Sequence, residues 1–118
     1  MITPEIKDLV SVDLERPKLP ADPHDCLVAL QAKIGPSGSA ASESFAFTVV
    51  TPSALRREER FRWGRGLLVV PAFSWEIVDL ALARLLARCS RPSWEEVAQE
   101  LNQELEWEFD HYREHTRA

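Results

Sequence analysis

The stretch from Gly66 to Cys89 leaves this chain the fewest choices. It reads Gly-Leu-Leu-Val-Val-Pro-Ala-Phe, then Ser74, then a run to Cys89 in which only Glu76, Asp79, Arg84 and Arg88 are polar. Leu67 to Val70 is a continuous apolar run, which suits a strand covered on both faces, although periodicity alone also admits a buried helix. Pro71 and the β-branched pair Val69–Val70 favour the strand, because proline breaks a helix and tolerates a strand end. Ser74 offers a side-chain oxygen to the free amides of a new helix, and Glu76 puts a negative charge at its positive end. A helix that apolar is expected to be packed on most of its circumference. Ile77, Leu80, Leu82, Leu85 and Leu86 are therefore expected among the most deeply buried positions. The strand and helix together form the expected centre of the core.

With 118 residues the chain has enough for one domain with a real core, residues 1–118, and too few for two. Apolar residues make up 45% and charged residues 28%, the balance of an ordinary globular protein rather than a disordered one. No apolar run approaches the roughly 20 residues that span a bilayer. The start, Met-Ile-Thr-Pro-Glu-Ile-Lys-Asp, has neither the basic n-region nor the apolar h-region of a signal peptide, so the expectation is a cytoplasmic protein without a membrane partner. Cys26 and Cys89 are isolated in apolar surroundings and read as two reduced core thiols. A formal net charge of −5 argues against a general nucleic-acid binder, whose phosphate contacts need a basic footprint.

In chain order, Val10, Val12 and Leu14 alternate with polar residues, which predicts a half-buried strand near Lys7–Glu15. Pro17, Pro20 and Pro23 make the next segment a loop. Val28, Leu30, Ala32 and Ile34 then share one face, with Gln31 and Lys33 on the other. Gly35-Pro36-Ser37-Gly38-Ser39 signals a turn. Phe45, Phe47 and Val49 alternate after it, so Cys26–Ile34 and Glu43–Thr51 are predicted to form a hairpin. Thr51-Pro52 reads as the start of a short helix over Pro52–Arg60, and Gly66–Phe73 as the fourth strand. Ser93-Trp94-Glu95-Glu96 is a capping box opening the last helix. The predicted fold is α+β: a mainly antiparallel sheet of about four strands packed with two to four helices.

The last helix contains a misfit. At about 100° per residue, Trp94, Val97, Ala98, Leu101, Leu105 and Tyr112 stay on one face, Glu108 joins them, and Trp107 falls well off it. A straight helix would bury a carboxylate and expose a tryptophan. The sequence therefore predicts a change of direction near Leu105–Trp107 with a short final helix after it. The alternative is one helix with Trp107 displayed to a partner.

Several motifs invite chemistry. His111-Tyr112-Arg113-Glu114-His115 fits the His-x-x-Glu-His pattern of inverted zinc peptidases, but a catalytic zinc wants a third protein ligand that the pattern does not supply, and the plain reading is a solvated turn. His24-Asp25-Cys26 suggests a nucleophile beside a base, yet adjacent strand residues point to opposite faces, which favours a loop histidine beside a core cysteine. The run Arg56, Arg57, Arg60, Phe61, Arg62, Trp63, Arg65 would suit phosphates and stacked bases. Glu58 and Glu59 interrupt it, and the net charge favours arginines paired with the protein's own carboxylates. No cofactor, metal or catalytic residue is called for.

The acidic end is the strongest candidate for function. Glu95, Glu96, Glu100, Glu104, Glu106, Glu108, Asp110 and Glu114 crowd into twenty residues. Glu96, Glu100 and Glu104 are spaced i, i+4, which costs a few tenths of a kcal/mol for each like-charge pair on a helix. Such a face is either a solvated, solubilising one or a docking surface for something basic. In the second reading Glu96, Glu100, Glu104, Glu108 and Asp110, with Trp107, contact a protein partner.

Two longer patterns resemble a known family. They are Leu30-Gln-Ala-Lys-Ile-Gly-Pro with Glu43-Ser-Phe-Ala-Phe-Thr-Val-Val-Thr-Pro-Ser-Ala-Leu55, and, in order, Gly64-Arg65, Trp75, Cys89, Trp94-Glu95-Glu96, Trp107-Glu-Phe109 and Tyr112. Their order and spacing are similar to the immunity protein 8 family of bacterial polymorphic toxin systems. The resemblance covers nearly the whole chain. It implies an α+β fold, no catalytic residue, and a partner: a cognate toxin, delivered for example by contact-dependent inhibition, which the protein binds and neutralises. The residues themselves leave two other classes open, a non-catalytic adaptor or chaperone-like subunit and a small hydrolase using the terminal histidines.

Overall fold

The computed structural model describes residues 1–57 and 63–110. Its elements run β1 (Pro4–Val10), β2 (Leu27–Pro36), β3 (Glu43–Val50), α1 (Pro52–Arg57), β4 (Leu67–Val69), α2 (Trp75–Ala87), α3 (Trp94–Leu101) and β5 (Glu106–Trp107). The predicted hairpin is the centre: β2 and β3 pair antiparallel from Leu27↔Val50 to Ile34↔Glu43. β1 lies antiparallel on the far side of β2. β4 runs parallel to the C-terminal half of β3, as a connection through a helix allows, and β5 runs antiparallel beside its N-terminal half. The α+β class and the mixed sheet of four to five strands agree with the reading of the sequence.

Alternation decides which side chains meet. Leu30, Ala32, Ile34, Phe45, Phe47 and Val49 form one apolar sheet face, against which α2 and α3 pack. Gly35 is needed at the end of β2: a Cβ there would stand 1.8 Å from the carbonyl oxygen of Ala41.

β1 departs from the expected Lys7–Glu15. Ile6 and Leu9 are three residues apart, a spacing that period 2 sends to opposite faces. A register shift between Ile6 and Asp8 absorbs Lys7, so Ile6 pairs with Ile34 and Leu9 with Ala32, both on the core face. Beyond Val10 the chain leaves the ladder, Ser11 Oγ donates to the Ala29 carbonyl, and Val12 is 98% exposed.

β4 is shorter than Gly66–Phe73 and is covered on one face only. Pro71 has no amide to continue the ladder, Val69 is exposed, and Val70 and Phe73 reach the core from irregular backbone. α2 also differs. Its buried residues Trp75, Val78, Leu82, Leu85 and Leu86 lie on a single helical stripe. Ile77 and Leu80, expected in the core, fall outside that stripe and are 37% and 51% exposed. Ser74 is the N-cap residue, but its side chain makes no capping hydrogen bond. The Thr51 hydroxyl likewise caps no α1 amide: it accepts from the Cys26 amide at 3.0 Å and meets the Ser53 hydroxyl at 3.4 Å. The expected extension of α1 to Arg60 lies outside the described residues.

The capping box at Ser93 is present. Ser93 Oγ accepts from the Glu96 amide at 3.3 Å, and the Glu96 carboxylate accepts from the Ser93 amide at 3.1 Å. The change of direction comes earlier than expected: α3 ends at Leu101, and Asn102 caps it. After a turn, β5 sends Trp107 inward and leaves Glu106 and Glu108 exposed. Alternation in a strand thus resolves the helical misfit. Trp107 is 9% exposed, which corrects the reading that displays it to a partner. The expected final helix falls on residues 111–118, outside the described residues.

Two substitutions test this core. Leu101 is fully buried, so Leu101→Ala should lower stability by about 2–5 kcal/mol in urea unfolding. Leu80→Ala, on the exposed side of α2, should cost less than about 0.5 kcal/mol.

Candidate functional site

The groups that suggested nucleophilic chemistry are not assembled for it. Cys26 and Cys89 are both buried free thiols. Burial raises the pKa of Cys26, and the charges of Asp22 and Asp25 raise it further. Burial also raises that of Cys89, with Glu100 adding to it. A thiol so placed is kept protonated and unreactive. Asp25 turns to Arg57 and to the Ser53 hydroxyl, and these hydrogen bonds hold its carboxyl below the usual range. Two arginines of the basic run are likewise engaged with the protein's own acids, Arg57 with Asp25 and Arg65 with Asp110 at 3.8 Å. Arg60, Phe61 and Arg62 lie outside the described residues, while Trp63 is 92% exposed. His111, Glu114 and His115 also lie outside them. Among the described residues, no group of three His, Cys, Asp or Glu is placed to hold a metal ion, and no helix is long and apolar enough to cross a membrane.

The acidic segment is positioned by α3, its C-cap and β5. Asn102 organises the turn: its carbonyl oxygen accepts from the Trp107 amide and its amide donates to Asp110, both at 2.9 Å. Trp107 then stacks on Phe45 with ring centroids 6.4 Å apart. Because α3 ends at Leu101, Glu104 does not continue a helical row with Glu96 and Glu100; it sits in the following turn.

Each carboxylate of the expected partner face has a neighbour within the fold. Glu96 closes the capping box. Glu100 pairs with Arg91 at 3.2 Å, and Glu104 with Arg88 at 3.8 Å. Glu108 accepts from the Ser44 amide at 2.7 Å and donates its own amide to the Ser44 carbonyl. Asp110 is held by Asn102 and Arg65. Trp107 is the apolar anchor beneath them. The structure therefore places the six residues on α3, in the turn after it and on β5 and its end, and ties each of them into the fold. The carboxylate of Glu106, which the spacing argument passed over, has no hydrogen bond or ion pair among the described residues, although its backbone pairs with Ala46. Only pairing in a strand, invisible to a helical wheel, separates it from its neighbours.

The result is a small acidic α+β protein, with α2 and α3 on one sheet face and a carboxylate-rich segment closing the sheet edge. The family model described as Immunity protein 8 matches residues 5–112, and the chain belongs to that family. It is therefore an immunity protein against a toxin. No curated protein and no solved structure matches the chain.

The thiols offer a direct check on the local chemistry. In the native protein Cys26 and Cys89 should react with Ellman's reagent at pH 8 at least about tenfold more slowly than in guanidinium. Fast reaction of either thiol in the native state would contradict the burial described.

Proposed function

We propose that the protein stands in the cytoplasm of the producing cell, binds its cognate toxin domain there and blocks it by steric and electrostatic occlusion, without catalysis of its own. The toxin we infer is of the nuclease type. One observation carries this reading: residues 94–110 hold seven carboxylates and no lysine or arginine, on a chain of net charge −5. Enzymes that cut nucleic acid need basic surfaces for phosphate contacts, and an array of carboxylates complements such a surface. Complementary charge of this kind steers encounter and fixes orientation. The internal pairs of Glu100 and Glu104 are exposed or half-buried. Such pairs hold little free energy, so they leave most of the field available to a partner.

The reading is tested by binding a catalytically inactivated toxin domain encoded beside this protein. Charge reversal at Glu100 and Glu104 should slow association by about tenfold at low salt and flatten its salt dependence, with folding intact. Two parallel variants reverse Arg56 with Arg65, and add charge in the 36–42 loop. Loss of binding in the arginine variant alone would reject the acidic face and point to an acidic contact on the toxin.

A further inference from the structure

α2 and α3 cover one face of the sheet, and the opposite face is built from the alternate residues. The registers set these in rows. Ala29 stands beside Thr48, which stands beside Leu67; Gln31 stands beside Ala46, which stands beside Glu106. Val10 extends the second row onto β1. A sheet face left to water is ordinarily polar. Here Ala29, Ala46 and Thr48, with Gln31, floor a hollow of about 210 Å³. Val10 and Val12 wall it on one side, and Glu106 on the other. Val12 leaves the ladder and stands almost wholly in water, so it contributes nothing to the core. Glu106 lies over Gly66, where a Cβ would come within 2.6 Å of its Oε1, and it has no partner among the described residues.

An apolar wall facing an uncommitted carboxylate across a floor two strands wide, β2 and β3, has the chemistry of a receptor for a mixed contact. We propose that this hollow is where the toxin docks, setting an apolar side chain against Val10 and Val12 and a lysine or arginine against Glu106. The inference rests on the neutralisation reading above and gives it a location. Charge selects the occupant. The face carries Asp8 and Glu106 against Lys33, whose ammonium group already donates to Ser44, while Glu5 and Lys7 of β1 pair with each other. A second copy laid face to face would oppose like charges, whereas a basic toxin surface complements them. An arginine of the toxin desolvated in such a hollow is the kind of anchor in which binding energy concentrates.

The experiment uses the full chain and the same inactivated toxin domain. Glu106→Lys and Val12→Asp alter exposed side chains, so circular dichroism and Tm should match the parent. Each should weaken Kd by at least about tenfold. Leu80→Asp, at an exposed apolar position on α2 away from the hollow, should stay within about twofold. If the wild type binds and both hollow variants bind as well as it does, the location is overturned and the neutralisation reading stands. If the wild type does not bind, both fall together. Sedimentation showing a dimer that Val12→Asp disperses would make a second copy the occupant and overturn the proposal.

Discussion

The pairing of β2 with β3 supports everything else in the molecule. Every other strand takes its hydrogen bonds from one of these two, and the apolar face they present is the one on which both larger helices rest. The pairing is also the most local of the long contacts, because one short loop joins the strands. Loop-closure entropy is therefore small, and the remaining elements add to a template rather than assemble one. The Thr51 hydroxyl ties the end of β3 to the start of β2 through the Cys26 amide, from a fully buried position. A buried hydroxyl tolerates such a place only when its polar atom is satisfied.

Phe45 extends that template to the acidic segment. Its ring stacks on Trp107 and meets Trp94 edge-on, at centroid separations of 6.4 and 6.5 Å. Each aromatic contact is worth about 0.5–1.5 kcal/mol beyond its buried area. Trp94 also donates its indole N–H to Glu43, at the start of β3. The inward turn of Trp107 fixes the two residues around it outward, which sets Glu106 over the open sheet face and Glu108 against Ser44. Placement of charge at this end is thus a consequence of aromatic packing. At the opposite edge of the sheet, Arg16 bridges the proline-rich loop to α2 through both oxygens of Asp79, at 3.0 and 2.6 Å, and lies over the Trp75 ring.

The acidic segment has a dual character. Arg65, Arg88 and Arg91 come from elsewhere in the chain and lower the repulsion among its carboxylates, so the fold does not carry the full cost that the spacing alone suggests. Exposed pairs leave the field of the segment largely in place. Glu106 receives no such neighbour among the described residues, and it lies on the sheet face opposite α2 and α3.

Local signals determined much of this protein. The hairpin, the capping box at Ser93, the start of α2 after Ser74 and the α+β class all follow from residue types and periods within short windows. The family is legible in the order of its pieces along the chain. Tertiary structure alone decided the rest. A helical or strand period says which residues share a face, not which face is covered, so Ile77 and Leu80 were indistinguishable from Leu82 until the sheet chose one stripe of α2. The register shift at Lys7 depends on a partner strand more than twenty residues away. The exchange of Trp107 for Glu106 at the surface depends on β3 offering an edge and an aromatic ring. The charge partners of Glu100, Glu104 and Asp110 are distant in sequence, and no spacing rule reaches them. The candidate site was therefore readable as an acidic segment, but its arrangement in space was set by contacts that form only when the chain has folded.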